Sequence, residues 1–67
     1  MDFNKASIGD IVLYQGNTCA YPVERGNTYE VVGVVAGKPR AFQFVDDEGI
    51  KRLAMLSYSW VKVKQGG

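Results

Sequence analysis

Apolar and polar residues alternate in short runs along this chain, and the runs are rich in valine, isoleucine, tyrosine and phenylalanine. A period of two with β-branched and aromatic residues is typical of strands that bury one face. Glycines and two prolines separate the runs, and no stretch has the i, i+3, i+4, i+7 spacing of an amphipathic helix. The pattern therefore predicts an all-β fold of five strands, over residues 10–14, 28–35, 40–45, 50–55 and 60–64.

The segments between these strands predict specific turns. A long first loop covers residues 15–27, and Gly33 interrupts the second strand in a way that suggests a bulge. The run from Asp46 to Gly49 predicts a tight turn, because aspartate can bond its own backbone and glycine can take a positive φ. Residues 56–59 are too few for an α-helix and predict a single 3-10 turn before the last strand.

The alternation also predicts which side chains form the core. In the last strand, Val61 and Val63 are expected on the buried face, with Lys62 and Lys64 on the wet face. The phase of the first strand is left open, since Val12 and Tyr14 have the same spacing as Ile11 and Leu13. The predicted core is Ile11, Leu13, Tyr29, Val31, Val34, Phe42, Phe44, Leu53, Val61 and Val63.

This order of elements resembles an SH3-like barrel over residues 9–64. Residues 26–32 (Gly-Asn-Thr-Tyr-Glu-Val-Val) look like the segment that leaves the long first loop of SH3 domains. Residues 59–62 (Ser-Trp-Val-Lys) look like the end of their 3-10 turn. The chain also resembles small bacteriophage-encoded accessory proteins of that fold. The resemblance implies a five-stranded SH3-like barrel in which a curled sheet hides its edges.

Length and composition favour one intracellular domain spanning residues 1–67. A chain of 67 residues with 46% hydrophobic residues fits a single small globular unit. The lone cysteine, Cys19, excludes an internal disulfide and fits a reducing compartment. The N-terminus lacks the apolar region of a signal peptide, and no apolar run approaches a membrane span. We expect a cytoplasmic protein that does not enter the membrane.

The chain has few residues of the types that catalyse reactions or bind metal ions. Without histidine the chain can form neither a Ser-His-Asp triad nor a Cys-His pair, and one cysteine cannot hold zinc. The carboxylates of Asp46, Asp47 and Glu48 fit a solvated turn, and Cys19 fits a half-buried packing residue. The glycines around residues 33–38 lack the ending of a P-loop. We expect no metal, no cofactor and no enzymatic activity.

Two sets of residues are candidates for binding. In SH3 domains aromatic side chains at similar places line a groove for proline-rich peptides. Here the third-strand tryptophan of those domains is missing and Met55-Leu56 replaces a proline, so a different protein ligand is expected. The aromatic set, for protein binding, is Tyr14, Tyr21, Tyr58 and Trp60. The basic set, for nucleic-acid binding, is Lys38, Arg40, Lys51, Arg52, Lys62 and Lys64.

The sequence leaves three functions open. The first is a protein-binding module, or a modulator of a larger assembly, which the aromatic set and the net charge of +1 favour. The second is a nucleic-acid binder that would combine phosphate contacts with base stacking on tyrosine and tryptophan. The third is an oligomeric enzyme resembling the type II dihydrofolate reductases, although no stretch closely matches the central strand motif of that family. The oligomeric state is not readable from the sequence.

Overall fold

The computed structural model describes residues 4–17 and 22–66. These residues form five strands and no helix, which confirms the all-β prediction. The second and fifth strands begin and end where the sequence predicts, and the other three differ by one or two residues at their starts. The strands are β1 (Ile11–Tyr14), β2 (Thr28–Val35), β3 (Lys38–Val45), β4 (Lys51–Met55) and β5 (Trp60–Lys64).

The five strands form one antiparallel sheet in the order β4-β3-β2-β1-β5. The sheet is not a closed barrel: β4 and β5 stand at its two ends, and no strand pairing joins them within the described residues. β4 pairs with β3, and β5 pairs with β1. The predicted barrel closure is therefore wrong, while the likeness to SH3-like proteins stays a prediction.

The turn between β3 and β4 has the predicted chemistry. The Gly49 amide donates to the Asp46 carbonyl over 3.0 Å, and Gly49 has a φ of 82°. Asp46 Oδ1 accepts the amides of Glu48 and Ile50 over 2.8 and 2.9 Å. The aspartate thus replaces missing backbone partners in a turn that only glycine can close without strain.

The predicted bulge in β2 is also present. Val31 pairs with Phe44 and Gly33 with Gln43, so Val32 is the extra residue. The Gln43 side chain lies over Gly33, in the space that a Cβ there would take. Val31 faces the core, and Val32 is 40% exposed on the opposite face.

The segment between β4 and β5 corrects the prediction of a 3-10 turn, since residues 56–59 form consecutive bends. The Ser57 amide donates forward to the Trp60 carbonyl over 3.0 Å, whereas in a 3-10 turn the later residue donates to the earlier. The Leu56 amide donates to the Arg40 carbonyl over 2.8 Å, and the Leu56 side chain is buried.

An aromatic cluster forms the centre of the core, and Trp60 lies in its middle. The Trp60 ring centroid is 4.6 Å from Phe44, 4.8 Å from Tyr14, 5.6 Å from Phe42 and 5.8 Å from Tyr29. The rings are tilted or edge-on to one another, which is the favoured geometry of aromatic pairs. Aromatic packing therefore supplies much of the core of a chain this short.

Four of the predicted core residues are buried: Tyr29, Val31, Phe42 and Phe44. In β1 the alternative phase is the one observed, because Val12 and Tyr14 are buried while Ile11 and Leu13 are half-buried.

The other predicted core positions are wrong. In β5 the phase is inverted, so Trp60 and Lys62 face inward, Val61 is half-buried and Val63 is 46% exposed. Leu53 pairs with Gln43, on the face opposite the buried Phe42, and is 51% exposed. Val34 pairs with Phe42 near the end of β2, yet it is 47% exposed.

Candidate interaction surface

Lys62 is a buried structural cation, which corrects its predicted place on the solvent side of β5. Its Nζ lies 3.0 Å from Asp10 Oδ2 and donates to the Lys5 carbonyl over 2.9 Å. Asp10 also accepts the Ser7 amide and the Gly66 amide, each over 2.6 Å. The Asp10–Lys62 pair thus joins the segment before β1, β5 and the segment after β5. A buried pair needs such additional bonds to offset the loss of water.

The segment after β5 approaches the backbone closely to complete this network. A Cβ on Gly66 would lie 2.7 Å from the Asp10 backbone nitrogen and would overlap the Gly9 carbonyl carbon. Both obstacles are backbone atoms, so no side chain can move aside. Only glycine lets the amide of residue 66 reach the Asp10 carboxylate.

Electrostatics keep Asp10 ionised despite its burial. Burial alone would raise the pKa of the Asp10 carboxyl, but the Gly66 amide, the Lys62 ammonium and the Ser7 amide outweigh that effect. The pKa of Asp10 is therefore lower than its ordinary value of 3.8. The Asp10 carboxylate remains charged at neutral pH.

A second network occupies Arg52, another of the predicted basic site residues. Arg52 Nε donates to Asp46 Oδ2 over 2.7 Å. Burial would raise the pKa of Asp46, but Arg52 and the amides of Ile50 and Glu48 hold it below the ordinary value. Arg52 Nε and the Asp46 carboxylate are thus committed to the β3–β4 turn, while the Arg52 side chain remains 37% exposed.

Tyr29 ties the long first loop to the same turn. Its hydroxyl accepts the Glu24 amide over 3.0 Å and donates to Asp47 Oδ1 over 3.1 Å. Burial, together with the neighbouring Asp47 carboxylate, raises the pKa of the Tyr29 hydroxyl. The carboxylates of Asp46 and Asp47 thus have partners in the fold.

The remaining predicted basic residues do not converge on one face. Lys38 and Arg40 lie at the start of β3, and Lys51 lies at the start of β4, beside the opposite end of β3. Lys64 ends β5, where it pairs with Ile11. All four are exposed. The six-residue basic set is therefore divided between buried or paired side chains and separate surface positions.

The predicted aromatic set is also divided. Tyr14 and Trp60 are buried in the core, at 3% and 5% exposure, because they face inward from paired positions of β1 and β5. Tyr58 is 81% exposed, and its carbonyl accepts the Gln15 side-chain amide over 2.8 Å. Tyr21 and Cys19 lie outside the described residues. Protein binding by Tyr58 stays a prediction.

The structure shows a surface that the sequence analysis missed. Four large apolar side chains lie on the outer face of β2, β3 and β4 around the half-buried Gln43. They are Val32, Val45, Leu53 and Met55, with exposures of 40%, 43%, 51% and 55%, and are called the outer patch below. Strand alternation places them opposite the buried Phe42 and Phe44. Alternation within β3 places Gln43 and Val45 outward once Phe42 and Phe44 face inward, but the outward positions of Leu53 and Met55 follow from the pairing of β4 with β3.

Two further features of the described residues concern function. No group of three or more histidine, cysteine, aspartate or glutamate side chains there is arranged to hold a metal ion. The described part of the chain also contains no helix with the length and apolar content needed to cross a membrane.

Comparison of the chain with protein-family models, with curated proteins and with solved structures gave no match.

Proposed function

We propose that this chain is a non-enzymatic binding module whose partner is a protein that covers the outer patch. The observation that carries the proposal is the group of four apolar side chains, each 40–55% exposed, on one face of the sheet. Single exposed apolar residues are ordinary, but clustered ones on a small domain are characteristic of interaction surfaces. Burying them against a partner would recover hydrophobic free energy that folding leaves unused.

The composition of the patch fits a protein partner. Leu53 and Met55 follow each other on the same face of β4, and Val45 lies diagonally across from Leu53 on β3. Methionine is adaptable and polarizable, which suits a surface that meets another protein. Gln43 at the centre supplies one side-chain amide that a partner must satisfy, and this would add specificity.

Nucleic-acid binding has less support. It requires cations next to exposed aromatic rings, but Trp60 is buried, Lys62 is paired with Asp10, and Arg52 is paired with Asp46.

The proposal predicts that threonine at Leu53 and Met55 weakens partner binding. Threonine suits strands and adds no charge, so the change removes apolar contact alone. The matched control is the double variant Ile50→Thr and Val63→Thr, which alters two side chains of similar exposure, 48% and 46%, outside the patch. In pull-downs from lysate of the source cells, followed by reconstitution with the purified partner, we expect at least about a tenfold loss of affinity only for the patch variant.

Equal partner binding by the wild-type chain, the patch variant and the control would contradict the proposal. So would the absence of any stoichiometric protein partner for the wild-type chain. Thermal melts of both double variants show whether each is folded, so a lost interaction is separable from a lost fold.

A further inference from the structure

We propose that the partner contributes an acidic segment that binds the positive end of the sheet, the end at which Met55 lies. This inference rests on the proposed function and specifies the chemistry of the partner. The positive end consists of Lys5, Lys38 and Arg40, all of which are exposed.

The fold joins the two segments that carry these three cations. The Ala6 amide donates to the Pro39 carbonyl over 2.8 Å. That bond joins the residue after Lys5 to the residue between Lys38 and Arg40. The segment before β1 and the start of β3 therefore present their cations at one end of the sheet.

No carboxylate in the described residues neutralises this end. Residues 4–9 and 31–45 contain neither aspartate nor glutamate. Asp10 is fully buried, and its charge is matched by Lys62. Within residues 4–17 and 22–66, neither of the ion pairs of the structure involves these three cations.

The exposed carboxylates of Asp47 and Glu48 lie at the opposite end of the sheet, in the turn after β3. β3 has eight residues, and a rise of about 3.3 Å per residue separates its ends by roughly 23 Å. Charges that far apart are screened at physiological salt, where the Debye length is about 8 Å. The acidic turn therefore leaves the positive end available for an external anion.

The neighbours of the positive end favour an acidic protein segment over a phosphate backbone. Met55 of the outer patch pairs with Ala41, the residue after Arg40. Val34, at 47% exposure, lies just before the β2–β3 turn. Strand alternation points Arg40 to the face opposite Met55, so a segment of mixed acidic and apolar residues that crosses this end of the sheet would meet the cations and then Met55.

The test uses a soluble twelve-residue peptide of aspartate, glutamate, leucine and glycine, with a control peptide in which asparagine and glutamine replace the acids. Titrations of the ¹⁵N-labelled full chain are followed by NMR at 20 mM and 300 mM NaCl. We expect shifts in the amides of residues 36–41 and 54–56 with the acidic peptide. The affinity of the chain for the acidic peptide should fall about fivefold or more at the higher salt concentration. The Lys38→Glu variant should show a similar loss of affinity for this peptide.

The matched control is Lys51→Glu, which makes the same charge change at the other end of the sheet and should leave the affinity within about twofold. Equal binding of the neutral peptide, equal loss in both variants, or tighter binding of a dT₁₂ oligonucleotide would overturn the proposal. Self-association of the chain through its own acidic turn, detected by sedimentation, would overturn it as well. Failure here with a persistent effect of the Leu53 and Met55 substitutions would leave the protein-binding function standing.

Discussion

Replacing Lys62 with methionine is expected to destabilise the protein by about 3 kcal/mol or more, because it leaves the buried Asp10 carboxylate without its cation. A chain of 67 residues has a total stability of only about 3–10 kcal/mol by the usual per-residue range. Urea unfolding followed by circular dichroism measures the loss. The matched control is Lys64→Met, at an exposed position of the same strand, where we expect a change within about 0.5 kcal/mol.

The Asp10–Lys62 pair also predicts how the stability of the fold decreases at acidic pH. The folded-state pKa of Asp10 is below its ordinary value, so the carboxylate stabilises the fold above the unfolded pKa of about 3.9. That contribution is lost as the pH falls through the lower folded pKa. Asp46 acts in the same direction. As the pH falls from about 5 to 2, the free energy of unfolding of the Asp10→Asn variant should therefore decrease less steeply than that of the wild type.

Two outcomes would contradict this account of Lys62. One is equal stability of Lys62→Met and Lys64→Met. The other is an Asp10→Asn curve that runs parallel to the wild-type curve through the acid range. Either result would mean that the Asp10–Lys62 pair does not stabilise the fold as the structure implies.

Replacing Trp60 with alanine is expected to unfold the chain at 25 °C. Removing a large aromatic side chain from a packed core costs about 3–5 kcal/mol, and Trp60 contacts four other aromatic rings. Loss of dispersion in the ¹⁵N–¹H spectrum is the measurement. Trp60→Phe retains a ring and should remain folded with a lower melting temperature, which keeps the prediction testable if the alanine variant cannot be purified.

The control for Trp60 is Tyr58→Ala, two residues earlier in the chain. Because Tyr58 is 81% exposed, its removal should change stability by no more than about 0.5 kcal/mol. A folded Trp60→Ala variant that melts near the wild-type temperature would refute the aromatic core. Equal damage from the Tyr58 and Trp60 substitutions would also do so.

Local features of this fold were predictable from the sequence because local chemistry determines them. The β-branched residues of β2 specify a strand, and the aspartate and glycine after β3 specify a tight turn, without help from distant segments. The bulge at Gly33 was predictable for the same reason. Each needs only neighbouring residues to specify it.

Features that depend on distant segments were not predictable. Lys62 faces inward because Asp10, 52 positions away along the chain, supplies its counter-charge, and alternation alone assigns a lysine to solvent. Leu53 faces outward because of its register with Gln43. Sheet closure likewise depends on whether β4 meets β5, which a strand pattern cannot reveal. The outer patch follows from these pairings and was missed with them.

The orientation of the strands is the claim on which both binding proposals depend, and a soluble nitroxide tests it directly. Methyl signals of exposed side chains broaden in its presence, while those of buried side chains persist. The structure predicts strong broadening for Leu53, Met55 and Val63, and protection for Val12 and Val31. Protection of Leu53 and Val63 together with broadening of Val12 would show the opposite phase and would remove the outer patch.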